Sequence, residues 1–230
     1  MASPRTAPRS RRSASAAPAS DSTRERLIAV GTRLFAQRGI EGTSIRDIAT
    51  EAEANVAAIH YHFGGKEGLY AAVVEDVFAR ASSIKLVLQR ELELARAAGD
   101  RREAEAALKR CAAELLSRLF ARDERGWPGA FLARESFEPT AAMQRVMEEF
   151  SLPAWNTFLG LLELLRPDLA GTEQLKWIAS SVVGQCLYFQ QSMPLVKVTF
   201  QLERFDNVFV SRAAEHVTAF SLAALGSLRT

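Results

Sequence analysis

Ala58-Ile59-His60-Tyr61-His62-Phe63-Gly64-Gly65-Lys66 is the stretch on which the reading of this chain turns. It gathers two of the chain's histidines, a tyrosine, a phenylalanine, two glycines and a lysine. A metal site is one reading, but helical metal pairs need ligands three or four positions apart. His60 and His62 are two apart and would point about 200° from each other on a helix. The remaining histidine, His216, is far along the chain. A catalytic reading lacks a nucleophile paired with a base. A phosphate loop would need wider glycine spacing and a Ser or Thr after the lysine. The expectation is no catalytic residue, no metal and no cofactor.

Working outward, Gly64-Gly65 ends a short helix over 55–62 whose Val56, Ile59 and Phe63 share one face. Upstream, Thr43-Ser44 with Asp47 three residues later reads as a helix cap, and Ile45, Ile48, Ala49 and Ala52 line a helix over 44–52. Two short helices about a tight turn at Glu53-Ala54 predict a helix-turn-helix. Asn55, Ala57, Ala58, Tyr61 and His62 then fall on or beside the outer surface. The two alanines let a backbone approach base edges and offer methyl contact to thymine, while Asn55 and Tyr61 carry hydrogen-bonding tips. Lys66 opens the next helix, where its charge and the free N–H groups suit a DNA phosphate. The competing readings are structural: His62 packing against the next helix, and Lys66 as a solvated lysine.

Before this unit, Ser22-Thr23-Arg24-Glu25 fits a capping box, followed by Leu27, Ile28, Gly31, Leu34 and Phe35 at helical spacing and a stop at Arg38-Gly39. Residues 1–21 form an expected disordered basic tail, with four arginines among the first twenty residues and no acid there. Residues 1–66 hold 10 Lys or Arg against 6 Asp or Glu, whereas residues 81–230 hold 18 of each. A basic N-terminal part on a neutral body suits a polyanionic partner. Of the 230 residues, 48% are apolar and 24% charged. No run reaches the ~18–20 apolar residues of a membrane span. Cys111 and Cys186 form no Cys-x-x-Cys pair, so a reducing cytoplasm is expected.

Residues 22–70 resemble the DNA-binding domain of the TetR family of bacterial transcriptional regulators. The resemblance rests on "LFAQRGIEGTSIRDIATEA" and "NVAAIHYHFGGKEGLY", which join Phe35-x-x-x-Gly39, Thr43-x-x-x-Asp47-Ile48-Ala49 and His62-Phe63-x-x-Lys66-x-x-Leu69. It implies a homodimer on a double-stranded DNA operator, controlled by a small hydrophobic effector. By position it implies phosphate contacts at Thr43, His60, Tyr61 and Lys66, and base contacts at Asn55, Ala57, Ala58 and Tyr61, with Ser44, Arg46 and His62 in the same surface. The family's turn usually reads Ala-Gly-Val. Here Glu53 follows Ala52, at an expected cost of ~1 kcal/mol for a positive φ.

The rest reads as helices over roughly 66–97, 102–122, 128–137, 140–166, 173–193 and 203–225. Only 195–200, "LVKVTF", alternates like a strand, and it is too short to build a sheet. The expected fold is all-α: a helix-turn-helix domain over 22–68 and a larger helical body for ligand binding and dimerisation over 69–230. "FLARESFEPTAAMQRVMEEF" and "GQCLYFQQ" resemble the C-terminal domain of the CecR-type branch of the family. Candidate pocket residues are Trp127, Phe131, Arg134, Trp155, Phe158, Trp177 and Tyr188. Candidate dimer residues are Ala179, Ser180, Val183, Gly184 and Leu187 on one helix and Phe209, Ala213, Val217 and Phe220 on the last. Either set could instead be plain core. The competing function is a helical ligand-binding or scaffold protein without specific DNA recognition.

Overall fold

The computed structural model describes residues 19–120, 131, 144 and 147–228. Every regular element among them is helical. The first helix, α1 (Ala19–Arg38), starts three residues before Ser22, so the Ser22–Glu25 box lies inside the helix instead of opening it. Asp21 in its first turn complements the positive end of the helix dipole. Gly39 ends it, with its N–H donating to the Phe35 carbonyl at 2.8 Å.

The short helix α2 (Ile45–Glu51) is held by the expected box. Ser44 Oγ accepts from the Asp47 N–H at 3.1 Å, and the Ser44 N–H donates to the Asp47 carboxylate at 3.4 Å. The following turn sets Glu53 at φ 49°, the left-handed conformation anticipated for the position where the family has glycine. Next, α3 (Val56–Phe63) is capped by Asn55, whose Oδ1 accepts from the Ala57 N–H at 2.9 Å. Gly64 at φ 77° and Gly65 at φ 139° then turn the chain sharply into α4 (Lys66–Ala98). The junction is tight. A Cβ on Gly68 would lie 1.7 Å from the Phe63 carbonyl oxygen.

At 33 residues α4 is a rod of about 50 Å. It returns through Gly99 into α5 (Arg101–Phe120), and Arg110 joins the two by pairing with Glu91 and Glu103. Past a π-helical turn at Met147–Ser151 come α6 (Leu152–Leu165), a 3-10 turn (Pro167–Leu169), α7 (Glu173–Gln191), α8 (Met193–Phe200) and α9 (Asn207–Ser227). Helix α5 packs against α4, α6, α7 and α9.

Three local expectations change. The strand-like 195–200 is the body of α8, where Pro194 occupies a first-turn position that needs no N–H. The helix expected from 203 starts at Asn207, because Asp206 Oδ1 caps it by accepting from the Phe209 N–H at 2.9 Å. Of the helix expected over 140–166, residues 147–151 form a π-helical turn ahead of Pro153 in the first turn of α6, and most of 140–146 lies outside the described residues.

Two apolar cores result. The head core joins Leu27, Leu34 and Phe35 of α1, Ile48 and Ala49 of α2 and Ile59 of α3 to Leu69, Val73, Val74 and Val77 of α4. The body core runs from Leu88 and Leu92 of α4 through α5, α6, α7 and α9. The boundary expected at 68/69 therefore falls within the head core, and α4 is shared by both. Cys111 and Cys186 are fully buried, and burial pushes both thiols up to about 12.

Candidate nucleic-acid interface

Ile59 is fully buried in the head core, with Val56 and Phe63 packed partly against it. Helical geometry then turns Ala57, His60 and Tyr61 to the opposite, exposed side. Tyr61 is the extreme case at 84% exposure. Ala58 is different: it is half-buried and packs against the head core, so only part of its methyl borders the open face. His62 is half-buried, its ring 5.0 Å from that of Tyr61 and 5.9 Å from that of Phe63. Asn55 is exposed, but its Oδ1 serves the cap of α3. Its NH2 group remains as a donor, whereas the bidentate adenine pairing of asparagine needs both ends of the amide.

Thr43 does not present the side chain that a phosphate contact needs. It is 1% exposed, and its hydroxyl donates to the carbonyls of Gly39 at 2.7 Å and Leu34 at 3.3 Å. Those bonds fasten the α1–α2 loop to α1. Ser44 and Arg46 are exposed in the first turn of α2, Ser44 as the cap. Lys66 is half-buried, and its Nζ donates to the Ile40 carbonyl at 3.0 Å. An ammonium has three donors, so two remain for an anion.

Long-range clamps hold the reading unit to α1. Arg33 pairs with Glu51, and Arg26 Nε donates to the Ala52 carbonyl at 3.3 Å, at the turn before α3. Nothing local in the sequence points to Arg26, because its partner is 26 residues away. Hydrogen bonds from Ser44, with Arg38 at 3.9 Å, hold the Asp47 carboxyl below the usual aspartate range.

The body redistributes the other expected residues. Trp127 and Arg134 lie outside the described residues. Phe131 is buried, but in the head core, with its ring 5.7 Å from that of Tyr70. Phe158 is fully buried in the body core. Trp155 is half-buried, its indole N–H 3.3 Å from Ser180 Oγ. Trp177 at 67% and Tyr188 at 48% exposure stand on the outside of α7, so neither lines an interior pocket. The dimer candidates also divide. Ala179, Phe209, Ala213 and Val217 close the protomer's own core, because the inner faces of α7 and α9 pack on each other and on α5. Ser180, Gly184, Leu187 and Phe220 are exposed, and Val183 is half-buried.

Residues 27–73 match the model of the family described as bacterial regulatory proteins, tetR family. Residues 104–225 match the model of the C-terminal domain of the HTH-type transcriptional dual regulator CecR. CecR of Shigella flexneri is 26% identical over 188 residues, which are 81% of this chain and 83% of CecR. The HTH-type transcriptional regulator YttP of Bacillus subtilis (strain 168) is 44% identical over 57 residues, 25% of this chain and 28% of YttP. The HTH-type transcriptional repressor NicS of Pseudomonas putida is 32% identical over 72 residues, 31% of this chain and 34% of NicS. The chain thus spans about a third or less of YttP and NicS. In fold it is similar to HlyIIR, a hemolysin II transcriptional regulator, with a TM-score of 0.58 at 19% identity, covering 87% of this chain and 99% of that one. It is also similar to SCO4454, a TetR-family transcriptional regulator from Streptomyces coelicolor, with a TM-score of 0.56 at 19% identity over 90% and 97% of the two chains.

Proposed function

The chain belongs to the tetR family of bacterial regulatory proteins and carries a CecR-type C-terminal domain, and from that premise we propose that it binds a palindromic operator as a cytoplasmic homodimer, represses there, and is released by a small hydrophobic ligand. It is a DNA-binding transcriptional regulator, not an enzyme. The observation that carries the reading is the outer side of α3, where Ala57, His60 and Tyr61 are exposed while Ile59 is locked inside. A duplex contact needs such a helix, pinned by one face and open on the other.

Support for the dimer comes from the outer sides of α7 and α9. Trp177, Leu187 and Tyr188 are exposed on α7, and Val208 and Phe220 on α9. Among the described residues, nothing beyond its own stretch of helix lies within 4 Å of where a Gly184 Cβ would stand, so these residues do not demand glycine there. A partner helix crossing at that point would. Two protomers joined this way would present two α3 helices to half-sites about 34–36 Å apart.

Support for ligand control comes from α4. Its first turns are built into the head core and its later turns into the body core, and Phe131 adds a second buried contact with the head. A ligand that favours one packing of the body would tilt this rod and change the separation of the two heads. DNA affinity would fall by the ligand's preference for the non-binding spacing. No helix among the described residues is long and apolar enough to cross a membrane.

Gel-shift of DNA flanking its own gene, repeated with a panel of hydrophobic compounds, tests the reading. A shifted band that a compound abolishes is the expected result. Absence of any sequence-preferring shift sinks it in favour of the scaffold alternative. The sign needs transcription from the same fragment: NicS is named a repressor and CecR a dual regulator.

A further inference from the structure

We propose that Arg24 of α1 is a DNA-phosphate contact lying outside the helix-turn-helix, aimed by the ring of Phe63. The proposal rests on the reading of α3 as the DNA-facing helix and adds to it a residue from a different element.

The arginine sits near the start of α1, and its guanidinium carbon lies 5.5 Å from the centroid of the Phe63 ring at the last residue of α3. The other head cations within α1, α2 and the start of α4 are mostly engaged. Arg33 is paired with Glu51, and Arg38 stands 3.9 Å from Asp47. Arg26 donates to the Ala52 carbonyl, and Lys66 to that of Ile40. Among the described residues Arg24 is exposed and has no carboxylate or carbonyl partner, while its guanidinium lies over the ring. Arg46 also lacks an ionic partner among the described residues, but no ring orients it.

The difference between a ring and a carboxylate is the argument. A carboxylate orients a guanidinium by occupying its N–H donors and cancelling its charge. An aromatic face attracts the cation through its quadrupole and leaves the five in-plane N–H donors and the full charge available. A planar fork presented in this way matches the bidentate geometry of phosphate oxygens. Location agrees with that chemistry. The rings of Tyr61, His62 and Phe63 follow one another along the last turn of α3, and Arg24 stands at the end of that row. When α3 lies in a major groove, groups flanking its end meet the sugar-phosphate backbone.

The test uses the full chain and a labelled duplex from the DNA flanking its own gene, with an unrelated duplex beside it, titrated by fluorescence anisotropy across salt concentrations. Arg24→Ala should weaken binding to both duplexes by about tenfold and lower the slope of log affinity against log salt by about one. Arg24→Lys, which keeps charge but loses the fork, should fall between. Phe63→Leu should weaken wild-type binding yet add little in the Arg24→Ala background, since removing either partner ends the same arrangement. Arg90→Ala, an exposed arginine of the body, makes the same charge change and should leave affinity and slope unaltered. If Arg24→Ala binds like wild type while the wild-type chain binds DNA, the proposal falls and the regulator reading stands. An acidic protein as the partner of Arg24 would give that result. If the wild-type chain binds neither duplex, both fall. Unchanged circular dichroism of each variant separates these outcomes from misfolding.

Discussion

Lys66 Nζ lies 3.0 Å from the backbone carbonyl of Ile40, which fastens the first residue of α4 to the loop that joins α1 to α2. One side chain therefore both braces the reading unit and offers charge at its edge. Lys66→Ala should lower unfolding stability by about 1 kcal/mol. It should also weaken binding to all duplexes with a shallower salt slope. Urea unfolding and salt-dependent anisotropy measure the two effects. Unchanged binding with the stability loss intact would leave Lys66 purely structural.

Glu53 carries a left-handed turn at φ 49° with an L side chain. Glu53→Gly relieves that strain and gives back part of the gain as unfolded-chain entropy, for a net stabilisation of about 0.5 kcal/mol. It also removes a negative charge beside the proposed phosphate contacts. Melting temperature should rise by about 1–2 °C and duplex affinity should increase. If Glu53→Ala raises the melting temperature equally, backbone strain is not the cause.

Gly68 lies against the Phe63 carbonyl, where an added Cβ would stand 1.7 Å from the oxygen. Because the obstacle is backbone, Gly68→Ala must displace α3 from α4, at about 3 kcal/mol or more. DNA binding should be lost while the body, whose core does not include this junction, stays helical and associated. Gel-shift and sedimentation on one preparation check both halves. Retained operator binding would count against the tight junction.

Phe220 is 56% exposed and Val217 is 1% exposed, although both lie on α9. Phe220→Asp should therefore yield a folded monomer, visible by light scattering, with little change in circular dichroism. Val217→Asp buries an unpaired carboxyl and should unfold the body. A Phe220→Asp protein that remains dimeric would move the proposed interface elsewhere.

Asp47 and Asp168 are both held below the usual aspartate value of 3.8, chiefly by hydrogen bonds from Ser44 and from Arg166 respectively. A depressed carboxyl stabilises the fold above its unfolded value, and that contribution is lost as pH falls through the folded value. Arg166 also donates to the Leu225 carbonyl at 2.5 Å, so Asp168 steadies the end of α9 through it. Asp47→Asn with Asp168→Asn should be less stable than wild type near neutral pH, and the gap should narrow below the aspartate range. Parallel chemical-denaturation curves across acid pH measure it. A gap that stays constant with pH would rule out the linkage.

The head was largely legible in the sequence. Ser44 with Asp47, Asn55, the Gly64-Gly65 break and the positive-φ turn at Glu53 are contacts within a few residues, and each leaves a local signature. Ser22 shows the limit of such signatures, because a matching four-residue pattern fits a helix interior as well as its start. Thr43 and Lys66 lie at the edge of the unit, and their bonds to Leu34 and Ile40 span 9 and 26 residues. Spacing carries no trace of such bonds.

What the chain's order of residues determined by itself was helical period, caps and turns, since backbone sterics and nearest-neighbour hydrogen bonds decide these. Tertiary structure alone decided which sides of the apolar body helices α7 and α9 face inward. Phe209 and Val217 are buried while Val208 and Phe220 are exposed on the same α9, and Trp177 and Tyr188 face out from α7. Hydrophobic attraction is non-directional. A helix apolar on most sides fits several packings equally, and its orientation is settled only when α5 occupies one face.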